Sequence, residues 1–191
     1  MLDAPFRAAN GFVSLATRRP PALSNHSSPA RLWRPSVAKV RRVALDDPAT
    51  SVITDFTRES PVTVTEDRPI EDALRDMAIV GIHALLVVRG DRVSGLVTSY
   101  DIQGERPLNW LLAPSGSRPR EIEVGHIMTP WDRVPKLNWS FVSAATIHDL
   151  SNVFERTGAT HLVVVENVED DGPFVRALIS RRRLSQQLGL D

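Results

Sequence analysis

The chain has 191 residues, enough for one globular domain or two small ones. Its 23 Lys and Arg residues balance 23 Asp and Glu residues, which argues against a general nucleic-acid-binding protein because such proteins usually carry a basic excess. No cysteine is present, which excludes disulfides, thiolate metal sites and a cysteine nucleophile and fits a reducing cytoplasm. No apolar run approaches a membrane span of roughly 20 residues, and the N-terminus does not resemble a secretory signal, so we expect a cytoplasmic protein with no membrane partner.

Residues 1–45 differ in composition from the rest of the chain. They are rich in Pro, Arg, Ser and Ala, carry a local basic charge and show no sustained hydrophobic period. This composition predicts a largely disordered arm, with a short ordered piece near residues 37–43. A solvated tail is the reading we favour, and a tail that binds nucleic acid or a partner remains open.

Two segments further along the chain repeat each other. IEDALRDMAIVG at 70–81 and IHDLSNVFERTG at 147–158 share Ile, Asp and Gly, and most of an apolar stripe at positions i, i+3 and i+7. This stripe predicts two amphipathic helices, and each closing Gly suits the left-handed position after a helix. Start signals precede both helices: Asp67, Pro69 and Thr146.

The same elements follow each predicted helix. A β-branched apolar run suits a strand that is buried on both faces, and a turn, a second strand and a further helix come next. A matching opening segment and a short strand precede each helix. Two copies of one small α/β unit are therefore predicted, packed on each other because neither buries enough surface alone. The copies span 46–104 and 122–191, joined by a Pro-rich linker at 105–121.

This order of elements resembles the CBS-domain (cystathionine beta-synthase domain) family over about residues 50–188. GLVTSYD at 95–101 is similar to the family's Gly-hydrophobic-hydrophobic-Thr/Ser-x-x-Asp signature, and the DFT and IMTP openings at 55–57 and 127–130 support the likeness. The resemblance implies a tandem pair with pseudo-two-fold symmetry, clefts that take AMP, ADP, ATP, S-adenosylmethionine or NAD, and a homodimer.

The resemblance also implies a set of nucleotide-binding residues. Asp101 would accept hydrogen bonds from the ribose hydroxyls, and Thr98 would contact ribose or phosphate. The residues themselves agree, since a carboxylate in the first turn of a helix lies near backbone N–H groups and is favoured by the helix dipole. Ile82, His83 and Ala84 would contact the adenine edge, whereas Thr57, Thr129 and Pro130 would line the cleft walls.

The second repeat departs from this pattern. Its corresponding stretch has Ser180 at the hydroxyl position and Arg183 at the Asp position. A guanidinium has only donors, so it cannot accept from ribose hydroxyls. We therefore expect one competent ribose site on the first repeat, whereas Arg181–Arg183 could face the phosphates of a shared ligand, with Ser180 also among the nucleotide-binding residues.

Simpler roles remain open for several of these residues. Asp101 and Thr98 could only cap a helix, His83 could be a surface residue, and the arginine triplet could be a solvated helix face. The histidines have no metal-ligand spacing, and no catalytic motif is present, so we expect neither a metal site nor an enzyme. We expect a regulatory module that requires no cofactor and signals adenine-nucleotide occupancy to an unknown effector protein. A structural dimerisation scaffold without ligand and a nucleic-acid-binding regulator that uses the basic arm are the alternatives.

Overall fold

The computed structural model describes residues 41–113, 121–168 and 172–190. Residues 1–40 of the predicted arm and residues 114–120 of the predicted Pro-rich linker lie outside this part of the chain. The strands are β1 (Thr54–Asp55), β2 (Thr63–Thr65), β3 (Ala84–Arg89), β4 (Arg92–Thr98), β5 (Thr129–Pro130), β6 (Lys136–Asn138), β7 (His161–Val168) and β8 (Gly172–Ser180). The α-helices are α1 (Ile70–Val80), α2 (Ser99–Gln103), α3 (Arg106–Leu112), α4 (Val124–Ile127), α5 (Trp139–Ala144), α6 (Ile147–Thr157) and α7 (Arg181–Leu188).

The two repeated helices confirm the sequence prediction. In each of α1 and α6 most of the apolar stripe is buried, with Met77 and Phe154 at equivalent positions, whereas Val80 at the end of α1 is exposed. Both helices end at a glycine in the left-handed conformation, with φ of 76° at Gly81 and 64° at Gly158. The starts differ, because the side chain of Thr146 caps α6 whereas no side chain caps α1.

The strands form two four-stranded sheets that exchange their opening segments. The first sheet has the order β2-β3-β4-β5 and the second has the order β1-β8-β7-β6. Strand β1 opens the first repeat in sequence but pairs antiparallel with β8 of the second sheet, and β5 pairs antiparallel with β4 of the first. Each sheet therefore contains one short strand from the other half of the chain.

The strand pairings of the two sheets are equivalent. Leu96 and Leu178 occupy the same place in GLVT and ALIS, and they pair with Thr129 and Thr54 respectively. The same register in both sheets confirms an α/β architecture of two pseudo-symmetric repeats.

Apolar residues on both faces of the sheets explain why the strands read as continuous hydrophobic runs. On β3, Leu85 and Val87 face a core that includes Met77, whereas Ala84 and Leu86 face a different cluster. That second cluster contains Val163 of β7, so it joins the inner faces of the two sheets. The repeats therefore pack sheet against sheet, as the small size of each copy predicts. None of the helices in the described ranges has the length and apolar character to cross a membrane.

Candidate functional site

A large cleft opens between the two repeats at the start of α7. Its volume is about 820 Å³, within the range of roughly 300–1,000 Å³ that is common for small-molecule sites. One wall comes from the end of α1 and the start of β3, and the other from β1, β8 and α7. The residues that line it are Arg41, Thr54, Phe56, Glu59, Ser60, Val62, Val80, Gly81, Ile82, His83, Ala84, Leu86, His161, Leu178, Ser180, Arg182, Arg183, Gln186 and Gln187.

The first turn of α7 directs two arginines into this cleft. The Ser180 side chain accepts a hydrogen bond from the Arg183 backbone N–H at 3.4 Å and so caps the helix. Arg183 Nη1 lies 3.1 Å from the hydroxyl oxygen of Thr54 on β1. Arg182 Nη1 lies 3.3 Å from Nε2 of His83, at the start of β3. Both guanidinium groups are therefore held by polar side chains of the first repeat's sequence.

The charge at this end of the cleft is positive. Arg41, Arg182 and Arg183 all line the cleft, and Glu59 brings the one carboxylate among the described lining residues. Within 41–113, 121–168 and 172–190, no carboxylate forms an ion pair with Arg182 or Arg183. Guanidinium groups that are not neutralised by the protein attract anionic ligands, and their fork geometry suits phosphate.

A buried histidine lies between the two walls. His161, the first residue of β7, is 5% exposed, and its Nδ1 lies 3.1 Å from the Thr160 hydroxyl. Burial, together with a smaller contribution from the neighbouring His83, lowers the pKa of His161 from 6.5 to about 4. His161 is therefore a neutral imidazole at pH 7, with donor and acceptor capacity but no charge.

A smaller cavity of about 210 Å³ adjoins the large cleft. It lies between the starts of α2 and α7, where the two repeats face each other. His83, Ser180 and Arg182 line both spaces, whereas Arg181 and Tyr100 line only the smaller one. Side chains that are shared in this way can transmit occupancy of the large cleft toward the junction of the repeats.

Asp101 occupies a different environment. Its Oδ2 accepts hydrogen bonds from the backbone N–H and the hydroxyl of Thr98, each at 2.8 Å, which completes a capping box at α2. Its Oδ1 lies 3.1 Å from Nη1 of Arg106, the first residue of α3. The same Nη1 lies 3.0 Å from the Thr129 hydroxyl and 2.7 Å from the Ile127 carbonyl oxygen. Both carboxylate oxygens of Asp101 are thus engaged within the chain.

The predicted binding residues fall into separate groups. Ile82, His83, Ala84, Ser180 and Arg182 line the large cleft, and Arg181 lines the smaller cavity. Thr98, Asp101 and Thr129 meet around Arg106, and Pro130 pairs with Gly95 on β4. The sequence predicts that the start of β3 lies in one cleft with Asp101. In the structure the start of β3 faces Ser180 and Arg183 of the opposite repeat instead.

Thr57 does not line either cavity. It is exposed, and its backbone N–H and hydroxyl donate to Asp55 at 2.9 and 2.8 Å. The backbone bond from Thr57 lowers the pKa of Asp55, with further lowering from the Thr57 hydroxyl and Arg176. Thr54 lines the large cleft instead, and the strand pairings make Thr54 the counterpart of Thr129.

Sequence reasoning missed Thr54 as a binding candidate, whereas it considered Arg183 both as a lost aspartate and, within the arginine triplet, as a group that could face phosphate. Aligning Ile53-Thr54-Asp55 with Met128-Thr129-Pro130, rather than matching the threonine of DFT, was the signal that could have found Thr54. Phe56, Gln186 and Gln187 carry no motif, so only the fold reveals that they line the cleft. Among the described residues, no group of three or more His, Asp or Glu side chains could hold a metal ion.

Comparison with known protein families gives one match. Residues 53–106 match the sequence model of the CBS domain. No curated protein has a significant sequence match to the chain.

Solved structures add similarity over most of the chain. A putative signal-transduction protein with CBS domains from Burkholderia ambifaria MC40-6 is 27% identical, with 69% of this chain and 85% of that chain covered and a TM-score of 0.51. The structure of CBSX2 in complex with AMP is 20% identical, with coverage of 73% and 94% and a TM-score of 0.51. The CBS domain pair of protein MJ0100 in complex with 5-methylthioadenosine and S-adenosyl-L-methionine is 17% identical, with coverage of 74% and 95% and a TM-score of 0.52. The last two likenesses concern the fold alone.

Proposed function

We propose that the chain is a regulatory module that binds an adenine nucleotide, because residues 53–106 match the CBS-domain model and the chain shares its fold with CBS-domain structures. The observation that carries this proposal is the cleft of about 820 Å³, in which His83 of one repeat meets Arg182 and Arg183 of the other. A ligand there would touch both repeats, so its binding would favour one relative arrangement of them.

The lining of the cleft suits the two ends of a nucleotide. Ile82, Ala84 and Leu86 offer an apolar wall for a flat base, whereas Arg182 and Arg183 offer donors for phosphate. Two solved structures of the same fold are complexes with AMP and with 5-methylthioadenosine and S-adenosyl-L-methionine. Those ligands are a reason to test adenine compounds first on this chain.

The biological setting forms part of the same proposal. The module would act without catalysis and without a required cofactor, in the cytoplasm and as a homodimer. It would report ligand occupancy to an effector protein, since a ligand shifts the module only by the difference between its affinities for two arrangements.

Isothermal titration calorimetry tests the nucleotide-binding proposal. We expect at least one of AMP, ADP, ATP, S-adenosylmethionine and NAD to bind the wild-type chain. Arg182→Ala should weaken that binding about tenfold or more, because a hydrogen bond to a charged group contributes roughly 1.5–3 kcal/mol. Arg156→Ala, which removes an exposed arginine of α6 away from the cleft, is the matched control and should leave the affinity unchanged.

The second candidate function is a dimerisation scaffold that binds no nucleotide. The engagement of both Asp101 oxygens by Thr98 and Arg106 favours it, because these contacts already use most of the roughly four lone-pair sites that a carboxylate could offer to a ribose diol. Absence of binding heat for all five compounds at high protein concentration would support the scaffold and reject the sensor. Equal affinities of wild type and Arg182→Ala would also reject the proposed site.

A further inference from the structure

The start of α7 carries the opposite charge from the start of α2. The third residue of α2 is Asp101 and the third residue of α7 is Arg183, at equivalent places in the repeat. We propose that the large cleft selects its ligand by phosphate and does not read the ribose 2′-hydroxyl, so that it accepts 2′-deoxynucleotides as well as ribonucleotides. This inference rests on the proposed nucleotide-binding function and specifies the class of ligand.

A carboxylate reads a ribose diol by accepting from both hydroxyls, and the first turn of α7 carries guanidinium donors in place of that carboxylate. The Arg183 guanidinium has no acceptor atom, and its Nη1 is already 3.1 Å from the Thr54 hydroxyl oxygen. Ser180, at the hydroxyl position of the motif, accepts from the Arg183 backbone N–H. Glu59 is the one carboxylate among the described lining residues, and it lies in the turn after β1 rather than on α7. No carboxylate is therefore present at the position that α2 gives to Asp101.

Phosphate suits the same side chains. Arg182 and Arg183 follow one another in the first turn of α7, and neither pairs with a carboxylate anywhere in the described ranges. Contacts to His83 and Thr54 hold the two guanidinium groups at the cleft wall. Donors that are already oriented lose less side-chain entropy when an anion binds, so each added phosphate should increase affinity.

The ligand class follows from these two steps. The cleft should prefer nucleoside di- and triphosphates to the monophosphate and the monophosphate to the free nucleoside. Removal of the 2′-hydroxyl should change little, since the first turn of α7, which carries Arg182 and Arg183, offers it no carboxylate. Gln187 Oε1, a buried acceptor without a hydrogen-bond partner in the described ranges, lies in the last turn of α7 rather than the first. A ribose-reading site behaves in the opposite way, because a buried acceptor left unpaired by a deoxy sugar costs binding energy.

Calorimetric titration of the full chain with ATP, 2′-deoxy-ATP and adenosine tests the inference. We expect the dissociation constants of ATP and 2′-deoxy-ATP to agree within about twofold, and adenosine to bind about tenfold or more weakly, as loss of charged hydrogen bonds predicts. A preference of tenfold or more for ATP over 2′-deoxy-ATP would overturn the inference, and so would adenosine binding as tightly as ATP.

Arg183→Asp should give the cleft a preference for ATP over 2′-deoxy-ATP, which the wild type is expected to lack. The variant recreates the Thr98–Asp101 arrangement in the second repeat, and an aspartate at the third helical position can complete a capping box with Ser180, so the helix should form. We expect the variant to bind ATP more weakly and to prefer ATP over 2′-deoxy-ATP. Arg92→Asp makes the same charge change at an exposed position at the start of β4, and its ATP to 2′-deoxy-ATP ratio should match the wild type.

Two further measurements separate failure of this inference from failure of the proposed function. Glu59→Gln should leave the ATP to 2′-deoxy-ATP ratio unchanged, and a changed ratio would mean that Glu59 reads the ribose and would refute the inference. Inorganic triphosphate should compete with ATP. If triphosphate binds and no adenine compound does, selection by phosphate is supported and the adenine-nucleotide function is rejected. If ATP binds and triphosphate does not compete with it, the adenine-nucleotide function is supported and selection by phosphate is rejected.

Discussion

The two repeats share a backbone plan and differ where their last helices begin. In each, an opening threonine pairs with the strand before that helix: Thr129 with Leu96, and Thr54 with Leu178. In each, an arginine Nη1 lies within about 3 Å of that threonine hydroxyl, at 3.0 Å for Arg106 and 3.1 Å for Arg183. The first repeat takes its arginine from α3 and neutralises it with Asp101, whereas the second carries it at the aspartate position itself.

An aspartate at this helix position in one repeat and an arginine in the other give the two sites different charges. In the first repeat, carboxylate and guanidinium offset each other, and the carboxylate serves the capping box of α2. In the second, the guanidinium has no carboxylate among the described residues, and it faces the large cleft. The same backbone position therefore closes a local network in one repeat and gives the other an anion-attracting wall.

The largest effect should come from the feature that the repeats share. Phe154→Ala should lower the free energy of unfolding by about 3–5 kcal/mol and Met77→Ala by about 2–5 kcal/mol, because each leaves a cavity in a closed core. Both side chains are at most 2% exposed. Urea denaturation checks both values, with Ile79→Ala, 76% exposed on α1, as the control expected within about 0.5 kcal/mol of wild type. We expect the two repeats to unfold together. Two separate unfolding transitions, with one variant affecting only one of them, would contradict this expectation.

The elements with strong local signals could be predicted from the sequence. The stripes and closing glycines predict α1 and α6 to within a residue, and the β-branched runs predict the central strands. The exchange of β1 and β5 between sheets could not be predicted, because each has only two residues and no periodicity. Its consequence for the site is that the start of β3 faces the opposite repeat's helix.

The contacts of the site depend on that long-range pairing. Arg106 lies in the expected linker, and nothing in its local sequence indicates an ion pair with Asp101 or a bond to Thr129. The charge of Arg183, by contrast, could be read directly from the aligned motifs. Residue identity at the site is thus visible in the sequence, whereas the assignment of each residue to a cleft requires the fold.

A second difference between the repeats should appear as a pH dependence of stability. Ala84 and His161 are equivalent buried residues at the start of β3 and β7. The folded pKa of His161 is about 4, below its ordinary value of 6.5, so the unfolded chain binds the proton more readily. Stability should therefore be unaffected by His161 above about pH 6.5 and decline as the pH falls toward 4, by about 1.4 kcal/mol per pH unit and about 3 kcal/mol in total.

His161→Ala, which introduces the residue of the first repeat, should remove this part of the pH dependence. The unfolding free energies of wild type and variant are measured with urea at pH 7 and at pH 4. Relative to the wild type, the variant should be about 3 kcal/mol more stable at pH 4 than it is at pH 7. The cavity left by the substitution adds a cost that does not vary with pH. Asn152→Ala, at an exposed position of α6 that carries no titratable group, should show no such shift. A constant difference for His161→Ala across this range would show that His161 is protonated in the folded chain as readily as in the unfolded chain.

The smallest effect concerns the helix starts themselves. Asp101→Ala removes the reciprocal cap of α2 and the partly exposed pair with Arg106, and should cost about 1 kcal/mol. Asp149→Ala breaks the same type of box at α6 and should cost a similar amount, about 1 kcal/mol. Arg183→Ala should stay within about 0.5 kcal/mol of wild type, because Ser180 caps α7 through the backbone and the Arg183 side chain takes no part in a box. Urea denaturation of the three variants at pH 7 measures the order. If Arg183→Ala proves as costly as Asp101→Ala, then Arg183 stabilises the fold as Asp101 does, and the idea that the second repeat keeps this side chain free for a ligand loses its support.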